Sequence, residues 1–251
     1  MEKAKKHGLN IVSITDHDNT GAIAEAVEKA RELKMELIPG TEFSSDLLGL
    51  EVHINGYFFD YKDSIVLNYL KEFRKERVNR FIKIIHKLNK AGSNINAGEI
   101  LKNYPENVSL GRPHIAFAMM KDKFVANYNE AFNKYIGDGK PCYIKKPNPS
   151  SSEIIKLITN AGGLSFVAHP GKYIDGIYLS ELIKCGIDGI EIVHPSHTKD
   201  KTHYYSKIAS ENFMLVSGGS DFHGFGLNET RNLGNYFISD KEVENMKRRL
   251  F

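Results

Sequence analysis

The sequence is poor in cysteine and in long apolar runs. Its two cysteines, Cys142 and Cys185, lie far apart and in no spacing typical of metal-binding thiolates, which argues against a disulfide framework and a thiolate zinc site. The first seven residues are too charged for a signal peptide, and no later apolar run approaches the roughly 18 residues of a membrane span. We therefore expect a cytoplasmic protein without membrane contact.

Several catalytic motifs are absent as well. The sequence contains no Walker P-loop, no dinucleotide glycine fingerprint and no nucleophile-elbow serine. These absences argue against kinases, nicotinamide-dependent dehydrogenases and serine hydrolases.

Charge is unevenly distributed along the chain. The net charge is only +3, but residues 62–146 hold 17 Lys or Arg against 8 Asp or Glu. A basic middle set against an acidic remainder suits a phosphate-rich substrate, although a solvated lysine-rich helical surface explains the charge equally well.

Two patterns of hydrophobic residues divide the chain. Residues 1–63 and 147–251 alternate short apolar runs with amphipathic segments, which predicts an α/β fold with a mostly parallel sheet, open or closed into a barrel. The predicted elements include a helix from Ala22 to Leu33, a strand from Glu36 to Pro39 with Glu42 just after it, and a strand from Gly189 to Val193. Residues 64–146 show helical periodicity without strand signals, and we interpret them as an all-helical insertion that forms a substrate lid.

The unusual polar residues follow predicted strands. In a parallel sheet or barrel the carboxyl ends of all strands open onto one face, so residues distant in sequence would meet there. Histidine, aspartate and glutamate without cysteine are ligands that suit zinc, manganese or iron, and such ions activate water and neutralise phosphoryl groups. The segments concerned are Asp16-His17-Asp18, Glu42, His169-Pro170, His194-Pro195 and Asp221-Phe222-His223.

Not every histidine is given a function. His7, His86 and His203 fit ordinary helical or surface positions, and the residues leave His197 undecided. His53 taken alone also fits a structural role, because a single histidine is weak evidence for a ligand.

Four segments together resemble a known family. Ile14-Thr15-Asp16-His17-Asp18, Pro39-Gly40-Thr41-Glu42, Ala168-His169-Pro170-Gly171 and Ser220-Asp221-Phe222-His223-Gly224 are similar, in order and placement, to motifs of the PHP (polymerase and histidinol phosphatase) superfamily of metal-dependent phosphoesterases. The resemblance covers nearly the whole chain. It implies a distorted (β/α)7 barrel with up to three divalent ions, Mn, Fe, Zn or Mg, at the ends of the strands.

The resemblance also implies a ligand set. Carried over motif by motif, the metal ligands are His17, Glu42, His53, His169, Asp221 and His223, with the Glu42 carboxylate as the expected bridge between two ions. Family members begin with a strand bearing His-x-His, followed by an Asp, and the sequence shows neither. We therefore expect that the first strand, and some ligands with it, is missing from this chain.

Three further segments narrow the resemblance: Glu76-Arg77-Val78-Asn79-Arg80, Leu110-Gly111-Arg112-Pro113-His114-Ile115 and Ile192-Val193-His194-Pro195-Ser196-His197. They are similar to segments of bacterial nucleoside 3′,5′-bisphosphate phosphatases and their relatives acting on short RNA. The similarity implies attack on a nucleotide phosphomonoester by a metal-bound hydroxide, with Asp221 and His223 as catalytic residues. Histidinol phosphate is a further possible substrate in the family, and no protein partner is inferred. The implied phosphate-binding residues are Arg77, Arg80, Arg112, His114 and His194, although arginines on a wet helix face and a packing histidine at a helix start fit equally well.

Two alternatives stay open. Asp16-His17-Asp18-Asn19-Thr20 after an apolar strand also fits the DxDxT motif of haloacid-dehalogenase-like phosphatases, with Asp16 as nucleophile and Asp18 as acid. That assignment leaves the other three motifs unexplained. The second alternative is a catalytically impaired nucleotide- or RNA-binding module that keeps the arginines but cannot assemble its metal ions.

Overall fold

The structure is a computed structural model that describes residues 1–105, 108–171, 174, 176–224 and 231–250. The chain divides into two compact units. The first comprises Met1–Leu67 and Asn148–Phe251, and the second comprises Asn68–Pro147.

The first unit contains strands and helices in alternation. Its strands are β1 (Ile11–Ile14), β2 (Glu36–Leu47), β3 (Leu50–Tyr57), β4 (Leu164–Val167), β5 (Gly189–Val193) and β6 (Leu215–Gly218). Its helices are α1 (Glu2–Lys6), α2 (Ile23–Glu32), α7 (Ser151–Asn160), α8 (Gly176–Lys184), α9 (Lys199–Glu211) and α10 (Asp240–Leu250).

The six strands form one sheet in sequence order. β1 pairs with β2 in parallel, as do β4 with β5 and β5 with β6, whereas β3 runs antiparallel to both of its neighbours. Side chains such as Phe43, Ile54, Phe166 and Ile190 are fully buried, which places the hydrophobic core against this curved sheet.

The β2–β3 hairpin differs from the predicted parallel arrangement. The sequence predicts a short strand over Glu36 to Pro39, with Glu42 just after its end. In the structure β2 continues to Leu47, and the chain turns back through Leu48 and Gly49. Both turn residues have positive φ, 53° and 90°, which is the conformation of a tight two-residue hairpin turn. The hairpin places Glu42 and His53 inside paired strands and not at strand ends.

Helix α7 begins with a local sequence signal. Ser150 accepts a hydrogen bond from the backbone N–H of Glu153, and the Glu153 carboxylate accepts one from the backbone N–H of Ser150. This reciprocal arrangement is a capping box, which satisfies backbone donors that a helix start would otherwise leave unpaired.

The second unit is helical in its described residues. Its elements are α3 (Ser64–Lys90), whose first turn belongs to the first unit, α4 (Ala97–Lys102), α5 (Arg112–Lys121) and α6 (Tyr128–Ala131), followed by a π-helical turn over Phe132–Ile136. It has its own apolar core, in which Ile84, Leu88, Ile115 and Met119 are fully buried.

Among the helices of the described residues, none combines the length and the apolar character that a bilayer span requires.

Candidate metal centre

Strand pairing brings His17 beside Glu42. Beyond the end of β1, His17 forms an isolated parallel bridge with Glu42 of β2. The bridge is held by the Asp18 N–H, which donates to the Glu42 carbonyl at 2.9 Å, and by the Glu42 N–H, which donates to the Asp16 carbonyl at 3.3 Å. Two residues 25 positions apart in sequence are thereby fixed by backbone hydrogen bonds.

The hairpin register supplies His53. Ser44 lies opposite His53, and Glu42 lies opposite Asn55. Because residues two apart on a strand share a face, and opposed residues of an antiparallel pair point to the same side, Glu42 and His53 project from the same face of the sheet.

A single carboxylate oxygen is the centre of the cluster. Glu42 Oε1 lies 2.6 Å from His53 Nδ1, 2.8 Å from His169 Nε2 and 3.8 Å from His17 Nδ1. His53 Nδ1 and His169 Nε2 are themselves 3.3 Å apart. The candidate ligand atoms of His17, Glu42 and His53 all lie within 4.8 Å of one another.

The cluster is electrostatically polarised. Burial opposes ionisation of Glu42, but hydrogen bonds from His169 and His53 outweigh it and hold the pKa of this carboxyl group well below its usual range. Burial acts to lower the pKa of His169, yet its hydrogen bond to Glu42 raises that pKa overall. The site therefore consists of a buried carboxylate anion surrounded by imidazoles.

Asp221 and His194 lie beside this cluster. The rings of His169 and His194 are 5.4 Å apart, and His194 Nε2 lies 3.6 Å from Asp221 Oδ2. This distance is too long for a hydrogen bond but close enough for attraction, which keeps the pKa of Asp221 below its ordinary value. His194 Nδ1 accepts a hydrogen bond from the Ser196 N–H, so a neutral His194 carries its proton on Nε2.

His223 lies near His17. The ring centroids of these two residues are 6.1 Å apart. His223 Nδ1 is 2.8 Å from the Asp221 carbonyl oxygen, which places the proton on Nδ1 and the lone pair on Nε2. This tautomer is one that metal-binding imidazoles commonly adopt.

Two buried carboxylates were not among the predicted metal ligands. Glu191 of β5 accepts a 2.6 Å hydrogen bond from the backbone N–H of His169, and burial raises its pKa to about 7. Asp18 accepts hydrogen bonds at 2.8 Å from both the N–H and the hydroxyl of Ser44. Glu191 could have been noticed as the one acidic residue inside the apolar run Gly189–Val193.

The other predicted phosphate-binding residues belong to the second unit, where each contacts neighbouring backbone. Arg77 Nε donates to the Leu110 carbonyl at 3.0 Å, and Arg80 Nε donates to the Ile144 carbonyl at 2.7 Å. His114 Nδ1 accepts from the Gly111 N–H at the start of α5, and burial lowers the pKa of His114.

Arg112 occupies an aromatic environment. Its guanidinium lies 5.8 Å from the ring centroid of Phe132 and 5.3 Å from that of Tyr143, and it pairs with Asp138 at 2.5 Å. These contacts hold α5 to the π-helical turn and to the segment that follows it.

No family model matches the chain, but individual proteins do. It is 32% identical over 228 residues to a 5′-3′ exoribonuclease of Haemophilus influenzae, covering 89% of this chain and 82% of the relative. It is 30% identical over 233 residues to a 3′,5′-nucleoside bisphosphate phosphatase of Chromobacterium violaceum, covering 90% and 81%. The chain belongs to the PHP superfamily of metal-dependent phosphoesterases.

Two solved structures are also similar to the chain. A protein of Bifidobacterium adolescentis, described as a metal-dependent phosphoesterase, superposes with a TM-score of 0.86 at 29% identity, covering 99% of this chain and 88% of its own. An amidohydrolase of Chromobacterium violaceum, solved with bound sulfate, superposes with a TM-score of 0.83 at 27% identity, covering 99% and 89%.

PHP phosphoesterases use divalent metal ions, and the residues present fit such ions. One imidazole nitrogen from each of His17, His53 and His169 lies within 4 Å of Glu42 Oε1, an oxygen of a carboxylate whose pKa is low. Nitrogen and oxygen donors of this kind suit first-row divalent cations.

Proposed function

We propose that this PHP phosphoesterase hydrolyses a phosphomonoester of a nucleotide, either a nucleoside 3′,5′-bisphosphate or a short oligoribonucleotide. The observation that carries the proposal is the convergence of His17, His53 and His169 on the Glu42 carboxylate. The names of the two relatives, a nucleoside bisphosphate phosphatase and an exoribonuclease, support nucleotides as the substrate class.

Up to three divalent ions, Mn, Fe, Zn or Mg, complete the proposed site. The residues that would hold them are His17, Glu42, His53, His169, Asp221 and His223. When bound, the ions would supply a water of lowered pKa and would neutralise charge on the phosphoryl group.

The remaining chemistry belongs to the side chains. Asp221 and His223 are the proposed proton-handling pair, since Asp221 Oδ1 lies 3.7 Å from His223 Nδ1 and Asp221 Oδ2 lies 3.6 Å from His194 Nε2. The Nε2–H of His194 would donate to a phosphoryl oxygen.

Arginines of the second unit are proposed to bind the phosphate that is not cleaved. Arg77 and Arg80 lie three residues apart on α3 and therefore share a helix face. A planar guanidinium can contact phosphate through two N–H groups at once, which lysine cannot reproduce. We include Arg112 and His114 in this group, with residues 64–146 as the substrate lid.

Two further proposals concern the architecture of the first unit and the cellular location. We propose that the curved sheet is part of a distorted (β/α)7 barrel formed by residues 1–63 and 147–251. The cytoplasmic location stays a prediction.

Geometry argues against a haloacid-dehalogenase-like site. In that mechanism Asp18 would act as an acid toward the substrate. Here Asp18 is fully buried, and both of its carboxylate oxygens accept hydrogen bonds from Ser44.

The test is phosphate release from adenosine 3′,5′-bisphosphate in the presence of Mn²⁺, with and without a chelator. We expect chelation to abolish release. We expect Glu42→Gln to lower kcat/KM by more than about 100-fold, because loss of a ligand should cost more than the 10–100-fold typical of replacing a residue that only orients a ligand. Glu28→Gln serves as the matched control, since Glu28 is an exposed carboxylate paired with Arg31 on α2.

Two other outcomes would contradict the proposal. A phospho-aspartyl intermediate that disappears in Asp16→Asn would indicate the dehalogenase-like mechanism. Tight binding of the bisphosphate without turnover in Mn²⁺ would indicate the impaired binding module. A 5′-phosphorylated oligoribonucleotide, assayed in parallel, separates the two substrate types.

A further inference from the structure

The turn that carries His169 has an unusual backbone. His169 has a φ of +28°, a conformation that residues other than glycine rarely adopt, and Gly171 follows with a φ of +51°. Such a backbone persists only where its surroundings hold it in place. The turn is also where the imidazole of His169 is directed onto Glu42 Oε1, at 2.8 Å.

Both polar groups of the Gly171 residue are held by side chains from elsewhere in the first unit. The Gly171 N–H donates to His197 Nε2 at 3.1 Å. The Gly171 carbonyl accepts a hydrogen bond from the Tyr205 hydroxyl at 2.8 Å, and this hydroxyl also lies 3.0 Å from the Ile174 carbonyl. Tyr205 is fully buried on α9.

The hydrogen bonds of His197 fix which of its ring nitrogens carries the proton. Because a backbone N–H can only donate, His197 Nε2 is the acceptor and Nδ1 carries the proton, which it donates to the Ile192 carbonyl at 3.0 Å. With both ring nitrogens engaged by backbone groups, His197 is not placed to bind a metal ion or to transfer a proton.

A row of rings connects this arrangement to the metal centre. His169 and His194, His194 and His197, and His197 and Tyr205 have ring centroids 5.4, 5.5 and 5.4 Å apart. His197 and Tyr205 come after β5 in the sequence, yet both contact the turn that follows β4.

We infer that His197 and Tyr205 are positioning residues that hold the His169-Pro170-Gly171 turn, so that the His169 imidazole is presented to the metal ions. The inference rests on the proposed metal centre. Residues that orient a metal-binding histidine typically change metal affinity 10–100-fold when they are replaced. His197 and Tyr205 would therefore determine affinity for the metal although neither touches it.

The experiment is a titration of the metal-stripped chain with Mn²⁺ at a temperature well below its melting temperature. The electron paramagnetic resonance signal of the free ion measures how much Mn²⁺ stays unbound. Tyr205→Phe removes only the hydroxyl, and Tyr204→Phe, at a partly exposed neighbour on α9, is its matched control. We expect Tyr205→Phe to weaken Mn²⁺ binding by about 10-fold or more, and Tyr204→Phe to bind like the wild type.

A second pair of variants tests His197 and guards against a folding defect. His197→Gln keeps a side-chain acceptor for the Gly171 N–H, whereas His197→Leu removes it. We expect His197→Gln to bind Mn²⁺ more tightly than His197→Leu, with both variants retaining the wild-type circular dichroism spectrum.

The outcomes separate the inference from the proposed function. If Tyr205→Phe and His197→Leu lower only the melting temperature of the metal-free protein and bind Mn²⁺ like the wild type, the residues are merely structural and the inference is overturned. A wild-type chain that binds no Mn²⁺ would overturn the metal centre as well.

Discussion

Adjacent residues at the end of β1 have opposite environments. The His17 side chain is 38% exposed and faces Glu42, whereas Asp18 is fully buried and bonded to Ser44. Asp18 adopts a φ of +49°, which turns the chain immediately after His17. Aspartate and asparagine tolerate this conformation better than most residues, because their short polar side chains form local hydrogen bonds. Asp18 therefore fixes the backbone from which His17 projects.

Replacement of Asp18 by Asn tests this role. Asn tolerates the same backbone but loses the charge that strengthens the two hydrogen bonds from Ser44, so we expect the free energy of unfolding to fall by about 1–3 kcal/mol. Urea unfolding of the metal-stripped protein measures the change. Ser44→Ala removes only the hydroxyl donor and should cost less than Asp18→Asn. An Asp18→Asn protein as stable as the wild type would show that the charge contributes nothing.

Predictability from sequence differs among residues of the site. His17, Glu42, His169 and Asp221 are predicted as site residues because each belongs to one of the four segments that resemble the PHP family. Tyr205 could not, because a buried tyrosine on an amphipathic helix resembles any core residue until its hydroxyl is seen on the Gly171 carbonyl.

Most elements of the first unit could be predicted from the alternation of apolar runs. Strand β5 has the predicted bounds, Gly189 to Val193, and helix α2 spans Ile23–Glu32 where the prediction was Ala22 to Leu33. The antiparallel pairing of β3 was not predicted. Strand direction depends on the turn between strands, and the turn residue Leu48 is not one that sequence rules associate with a hairpin.

This turn offers a test of the hairpin. Leu48 is 65% exposed and has a φ of +53°, so Leu48→Asn should relieve backbone strain and form a favoured Asn-Gly turn. We expect the free energy of unfolding to rise by about 0.5–1 kcal/mol. Leu48→Ala is the control for lost apolar surface, because alanine keeps the strained backbone. Equal stability of the two variants would indicate that the turn is not strained.

The candidate metal centre and most of the excess positive charge lie in different units of the molecule. The cluster around Glu42 belongs to the first unit, whereas the excess of positive charge lies in residues 62–146, mostly in the second. An anionic substrate would be attracted by the basic unit. The proposed metal site draws its residues from the first unit, so bound ions would stabilise that unit directly.

Metal binding should therefore stabilise the first unit. A ligand present at 100 times its dissociation constant stabilises the folded state by about 2.7 kcal/mol, which corresponds to a rise of about 5–10 °C in melting temperature for a domain of this size. We expect Mn²⁺ to produce such a rise in the wild type and almost none in Glu42→Gln. Hydrogen exchange should slow most in β2, β3 and the turn after β4, with the core helices of the second unit, such as α5, as the internal reference. Equal slowing in α5 would mean that Mn²⁺ acts on the whole chain and not through the Glu42 cluster.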